Sequence, residues 1–359
     1  MANKRIYYAI QQVQFGPEGG AKVTAHGVQS IGVSTSFSLE QVFELGQLEI
    51  YQNVEEVPEV EVTLNKVLDG YPPIYILATE TGATAANGAP IANSTATGTD
   101  LAGRQNARAD VTLGIFSDSK TGADIGDSAL QTLLCRGMYV SSVSYTFPVD
   151  GNFTEDVTLV GNSKEWGVSP AVGTFDLANP DSPASKSVGR RQFLSIADCI
   201  FPREIRGVDS SGKLTDKSAS GDGWSTHFQT ITLSCDLGRE GINELGRFAP
   251  YHRYATFPVE VTSEFEVLST EGDGLNATED GYLDEGGNPF SGAACDLRSN
   301  LVDNEIYIQT CEGLRVDLGA KNKLTSINYS GGDTGGGNVT VSYSYSTYNA
   351  FKVTHIPPP

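Results

Sequence analysis

Side chains that commonly carry chemistry are sparse in this chain. Its 359 residues include four histidines (His26, His227, His252 and His355) and five cysteines (Cys135, Cys199, Cys235, Cys295 and Cys311). A structural zinc site takes four His or Cys ligands, and no Cys-x-x-Cys pair is present. His26 and His227 read as quasi-equivalent surface positions just ahead of a repeated strand. The odd cysteine count fits buried or half-buried thiols in a reducing compartment better than a disulfide framework. No Gly-x-Ser-x-Gly occurs, and no cysteine has a His and an Asn placed to activate it. The acidic loops 118–127 and 279–284 offer oxygen ligands to Ca2+. They lack the spacing and closing bidentate Glu of an EF-hand, so they read as solvated loops. The glycine run 331–337 has neither a following Lys-Ser/Thr nor a helix, and reads as a turn and not a phosphate cradle. The expectation is a protein without catalytic residues, cofactor or metal, and therefore not an enzyme.

Carboxylates on strands are the more informative feature. The stretch 59–65 alternates strictly, with Val60, Val62 and Leu64 on one face and Glu59, Glu61, Thr63 and Asn65 on the other. Glu260, Glu264 and Glu266 occupy one side of a second such strand. Two readings stay open for these faces: an ordinary solvated sheet, or an acidic surface lining a channel. The formal net charge of −20 argues against nucleic acid as an affinity partner, because phosphate binding needs clustered Lys and Arg. No run of about 18 apolar residues suggests a membrane span, and residues 1–6 show no apolar signal segment.

The elements that would position these carboxylates are written twice. Gln29–Tyr51 and Gln229–Tyr251 share Gln, Ile, Ser, Glu, Glu, Leu, Gly and Tyr at a constant offset. Both copies run from a β-patterned stretch into a polar loop ending Glu-Leu-Gly: Glu44-Leu45-Gly46 and Glu244-Leu245-Gly246. Val60–Thr63 is then matched to Val259–Thr262, with one residue deleted. Leu194–Phe201 follows the pattern of Tyr8–Phe15, and Ser326–Tyr329 that of Ser142–Tyr145. Such repeats point to tandem duplication.

The fold class is all-β with one or two short helices. Forty glycines and short runs of Val, Ile, Thr, Tyr and Phe are its compositional basis. Residues 6–15 and 22–37 are predicted strands, 38–46 a loop with one possible helical turn, and 48–51 a return to the sheet. Asp69–Ala78 is predicted as a short helix with Asp69 near its N-cap, and 80–108 as a low-complexity surface loop. The stretch 110–116 is a strand, Asp127–Cys135 the strongest helix pattern, and 139–147 with 153–160 a hairpin. These elements give a first domain over 1–165, a linker over 166–190 and a second domain over 191–359. The second domain carries polar inserts at 207–225 and 269–303, and a closing strand over 338–345.

Gly27–Phe37, the Glu-Leu-Gly loop, Glu61–Gly70 and the hairpin Ser142–Val157 resemble a bacteriophage tail tube protein. The resemblance covers most of 1–165, and reaches the second half through the internal repeat. It implies tandem β-sandwich or split-barrel domains that contribute strands to a shared lumenal barrel. Six such domains make a ring, and stacked rings make the conduit through which DNA passes without specific binding. Two domains in one chain would then give rings of three chains. Glu59, Glu61, Glu260, Glu264 and Glu266 would face the lumen. Glu44, Leu45, Gly46, Glu244, Leu245 and Gly246 would make contacts between subunits or rings. The implied partners are the chain itself, a tape measure protein, a tail terminator, baseplate proteins and, in a contractile tail, a sheath. Assembly would take place in the host bacterial cytoplasm, and the site of action would be the virion tail. A baseplate hub or distal tail ring, and a carbohydrate-binding adhesin sandwich, are the alternatives.

Overall fold

The computed structural model describes residues 5–20, 22–79, 101–116, 129–167, 188–202, 205, 227–269, 303–331 and 338–355. The acidic loops 118–127 and 279–284 and most of the predicted linker lie outside them. The described chain is built from antiparallel strands, as the composition predicts. In the first half these are β1 (Gln11–Pro17), β2 (Val23–Thr24), β3 (Val28–Ser36), β4 (Leu39–Phe43), β5 (Ile50–Glu55) and β6 (Glu59–Val67). Two short helices follow, α1 (Ile74–Thr79) and α2 (Leu101–Arg104). Then come β7 (Ala109–Ile115), β8 (Gln131–Pro148), β9 (Thr154–Gly161) and β10 (Ser163–Gly167). The second half holds β11 (His227–Asp236), β12 (Arg239–Ile242), β13 (His252–Ala255), β14 (Glu260–Leu268), β15 (Tyr307–Gln309) and β16 (Leu314–Asp317). It ends with β17 (Lys323–Ser330), β18 (Thr340–Tyr348) and β19 (Lys352–His355).

One path of hydrogen-bonded strands crosses both halves, in the order β3-β6-β9-β8-β11-β14-β18-β17. Its first four members and its last four repeat one topology: first strand, second, fourth, third. The repetition extends to irregularities. Gln29 is skipped in the β3–β6 ladder and Gln229 in the β11–β14 ladder. Ser141 is skipped between β8 and β9, and Thr325 between β17 and β18. A bulge adds one unpaired residue and increases local twist, so matched bulges give the two sets matched curvature. Each glutamine amide also folds back on its own bulge, Gln29 onto the Gly27 carbonyl at 3.2 Å and Gln229 onto the His227 carbonyl at 3.4 Å.

The strand β8 joins everything. It spans 18 residues, and its first part pairs β7 and β10 while its second part pairs β9 and β11. The core lies on one face of the long path and continues under β1, β7 and α1, with Tyr75, Tyr145, Phe265, Tyr343 and Tyr345 all fully buried. Burying each such ring contributes about 2 kcal/mol or more, which makes this face the main source of stability. The small sheet β15-β16-β19 stands apart from the path, and α1 touches β19.

Several sequence expectations are corrected. The predicted helix 127–135 is strand from Gln131 onward; both faces are covered over Thr132–Cys135, so those residues show no two-residue period. The stretch 22–37 is interrupted at Gly27, whose φ of 75° lies in the left-handed region. Residues 38–55 form the hairpin β4–β5, so 48–51 does not rejoin the large sheet. Helix α1 is capped from another strand: Glu155 accepts the amides of Ile74 (2.6 Å) and Tyr75 (3.0 Å), while Asp69 pairs with buried Lys66 at 2.6 Å. The end of 80–108 is helical at α2 and strand from Ala109, with Arg104 buried. Leu194–Phe201 does not repeat β1, since it forms 3-10 turns and isolated bridges to Thr310 and Tyr307. The match for β6 in β14 is shifted by two residues, so that Val60 corresponds to Val261 and Leu64 to Phe265. That shift preserves the face, which is why the sequence pattern tolerates it. At the margins of the predicted linker, Trp166 and Gly167 belong to β10, and Gly189 bonds both Leu68 and Phe153.

Candidate functional site

The surfaces that distinguish this chain are one polar sheet face, two hairpins and two strand edges. The polar face follows from the two-residue period of strands whose other side is core. Directly opposed residues carry it across the whole path: Ser30, Asn65, Asp156, Ser144, Ser234, Thr262, Ser346 and Lys323. Glu59, Glu61, Glu260 and Glu264 are exposed on this face, and Glu266 is half-buried. Asp156 and Asp236 join them, both strand residues that the sequence reading did not single out. The alternation of Asp156 with Val157 and of Asp236 with Cys235 was the available signal. Glu59 is partly neutralised by Arg253 at 2.8 Å, and Lys323 is held by Asp303 at 2.9 Å. Most of the rest are short Ser and Thr side chains, with Asn65, Asn328 and Tyr348 among them.

The hairpins β4–β5 and β12–β13 share one register, with Leu39 opposite Glu55 and Arg239 opposite Ala255. Their tips share one turn. The Gln47 amide donates to the Glu44 carbonyl at 3.2 Å, and the Arg247 amide to the Glu244 carbonyl at 3.3 Å. Gly46 (φ 94°) and Gly246 (φ 87°) supply the positive φ that a type II turn requires at its third residue. Leu45 and Leu245 are thereby held out in full exposure. The sequence-predicted loop residues therefore fall at equivalent tips.

The two hairpins differ in what lies beneath them. Every residue from 37 to 56 is exposed, including Phe37, Leu39, Phe43, Ile50 and Tyr51. By contrast, β12–β13 rests on the first half of the chain. Arg239 donates to the Val140 and Gln105 carbonyls at 2.6 Å each, and Arg253 contacts Asn162 as well as Glu59. The His252 ring meets the Tyr139 hydroxyl at 2.8 Å. Burial lowers Arg239 to about 10, and burial together with Arg108 and Arg239 pulls His252 below its ordinary value. His252 therefore stays neutral there at neutral pH.

The edges β3 and β17 end the path, each paired on one side only among the described residues. Ile31 and Val33 on β3 and Ile327 on β17 pack on the core while remaining partly exposed, and Tyr329 is 56% exposed.

Among the described residues no group of three or more His, Cys, Asp or Glu is placed to hold a metal ion. Three cysteines, Cys135, Cys199 and Cys235, are buried and Cys311 is exposed. Burial raises Cys135 to about 11 and Cys235 to about 12, which keeps both as unreactive thiols. Among the described residues no helix is long and apolar enough to cross a membrane.

No protein-family model matches the chain, and no curated protein matches it significantly. Solved structures that are similar to it in part include the following two. The tube-terminating cap of the anti-feeding prophage aligns with 47% of this chain and 95% of its own, at 11% identity and a TM-score of 0.32. The sheath–tube complex of an extracellular contractile injection system, PVC, in its extended state, contains a chain that aligns with 46% of this one and 93% of itself. There the identity is 14% and the TM-score 0.30. At that level of similarity neither structure bears on what this chain does.

Proposed function

We propose that this chain is a structural virion protein that self-assembles into stacked rings forming a phage tail tube, with three chains in each ring. One observation carries the reading: two four-strand sets of identical order and matched bulges run in a single sheet whose outer edges are paired on one side only among the described residues. Open edges invite pairing, and closure into a barrel is the arrangement that removes them. The buried aromatic side of the sheet would face outward in such a ring, and the Ser/Thr face with Glu59, Glu61, Glu260, Glu264 and Glu266 would line the lumen. Carboxylates on that wall would repel phosphates at short range, so DNA would slide without sticking. The hairpin tips Glu44-Leu45-Gly46 and Glu244-Leu245-Gly246 would meet neighbouring subunits or rings. The reading assigns no catalytic role to any residue. The tape measure, terminator, baseplate and sheath partners rest on the sequence resemblance alone.

Negative-stain microscopy and sedimentation of the purified full chain test this directly. Long tubes, or rings with three-fold symmetry and six similar lobes, are expected. Rings that never stack would favour a baseplate or distal-tail role. A monodisperse monomer at high concentration would overturn the proposal.

A further inference from the structure

The joint between the two strand sets lies inside the strand path, and its counterparts are the two edges at the ends of that path. Within the chain, β8 pairs β11 with Val143 opposite Cys235, Tyr145 opposite Leu233 and Phe147 opposite Ile231. Tyr145 and Leu233 are completely buried there. The matched bulges fix which residues correspond in the other copy: Gln29 with Gln229, and Ser141 with Thr325. Counting from those bulges, Val33 corresponds to Leu233, Thr35 to Cys235, Tyr329 to Tyr145 and Ile327 to Val143. These are the half-covered residues of the open edges, and each sits where its counterpart is sealed by a neighbouring strand.

The hairpins carry the same message. In the second copy, β11 runs directly into β12–β13, which lies over β8 and holds the Val140 carbonyl through Arg239. In the first copy, β3 runs directly into β4–β5, whose residues are all exposed among the described residues. Its charged residues are all carboxylates: Glu40, Glu44, Glu49, Glu55 and Glu56. The counterpart of the β8 segment under β12–β13 is the stretch entering β17, with Lys321 just ahead of the strand and Lys323, paired with Asp303, at its first position. Shape and charge therefore suit each other across two molecules.

We propose that β3 of one chain pairs antiparallel with β17 of a second copy, in the register Val33 opposite Tyr329 and Thr35 opposite Ile327, with β4–β5 laid over the start of β17. The contact is head-to-tail, using different surfaces on the two partners, so it closes into a ring or runs on as an open filament. It rests on the self-assembly reading above and specifies the surfaces and the register that reading leaves open.

Cysteine cross-linking of the full chain tests the register, in a background with Cys295→Ser and Cys311→Ser. Val33→Cys with Tyr329→Cys places directly opposed side chains on one face. Val33→Cys with Asn328→Cys places them on opposite faces, because a one-residue slip inverts the pleat. The first pair is expected to form disulfide-linked multimers on non-reducing gels at least tenfold more than the second. Assemblies in which the two pairs link equally would overturn the register while leaving the tail-tube reading intact. Absence of any assembly in the unmodified chain would overturn both. As an independent variant, Tyr329→Asp is expected to raise the concentration needed for assembly at least tenfold, with the thermal midpoint of the isolated chain unchanged. Assembly at the original concentration would count against the contact.

Discussion

The two copies share a backbone and differ in what they bury. In the first, Lys66, Glu155 and Tyr145 form a polar patch inside the core, with the Tyr145 hydroxyl donating to Glu155 at 2.9 Å. In the second, the corresponding positions are Val267, Val341 and Tyr329: two apolar core residues and an exposed edge. The difference follows from α1. Its first amides need an acceptor, and Glu155 provides one. The surface differs in the opposite sense, since β12–β13 is anchored by arginines and β4–β5 is not. A duplicated sheet tolerates changes on both sides while its ladder stays fixed, because the ladder depends on backbone groups and bulge positions.

Exchanging residues between the copies tests this comparison. The largest effect is expected from Glu155→Val, which installs the second copy's residue in the first. It leaves the Ile74 and Tyr75 amides and the Tyr145 hydroxyl without their acceptor, and a loss of about 3–5 kcal/mol in urea-unfolding free energy is expected. Burial raises the Glu155 carboxyl, with the amides, Tyr145 and Lys66 acting against it, so a milder loss on Glu155→Gln would separate charge from hydrogen bonding.

Arg239→Leu comes next, giving the second hairpin the first hairpin's residue. It removes charge-assisted bonds to the Val140 and Gln105 carbonyls, and a loss of about 2 kcal/mol is expected. Amides of β12 and β13 should then exchange as fast as those of β4 and β5. If they remain slower, the arginine is not what anchors the hairpin.

A third contrast concerns the buried pair Glu312 and His355 in the second half. Burial raises Glu312 from 4.5 to about 7 and lowers His355 from 6.5 to about 4. The stability due to Glu312 is present below 4.5 and lost as pH rises through 7. The stability due to His355 is present above 6.5 and lost as pH falls through 4. The two slopes oppose each other over the shared window. Glu312→Gln, which leaves His355 alone, is therefore expected to give an unfolding midpoint that climbs with pH between about 4 and 6.5. His355→Gln should give one that falls between about 4.5 and 7. Parallel profiles for the two variants would sink the assignment.

The smallest folding effect is expected at the tips. Leu45→Ser and Leu245→Ser should each leave the unfolding free energy within about 0.5 kcal/mol, because neither side chain is covered. Stacking of rings, read by microscopy, is where they should differ from wild type.

Much of this was legible in the sequence because strand repeats leave periodic marks. The alternation at Val60–Leu64, the Glu-Leu-Gly tips and the Ser142–Tyr145 echo all sit in the structure where their pattern implied. The failures also have physical causes. Leu133, Leu134 and Cys135 are buried on a strand covered on both faces, so no period distinguishes that stretch from a helix. The hairpin β4–β5 has no core face at all, and Phe43 and Leu45 beside Glu44 read as an irregular loop. The arginines of β12–β13 were missed because their partners, Val140, Asn162 and Glu59, are distant in sequence.

The β8–β11 ladder forms between parts of one molecule, so its population is independent of how much protein is present. In the proposed contact the edges β3 and β17 find their partner on another molecule, and that encounter obeys mass action. Dilution therefore acts on the two kinds of joint unequally. As concentration falls, the proposed assembly would part chain from chain while the two strand sets within each remain joined. The smallest particle that dilution can release is a pair of sets, and a single set appears only when the chain itself unfolds or is cut.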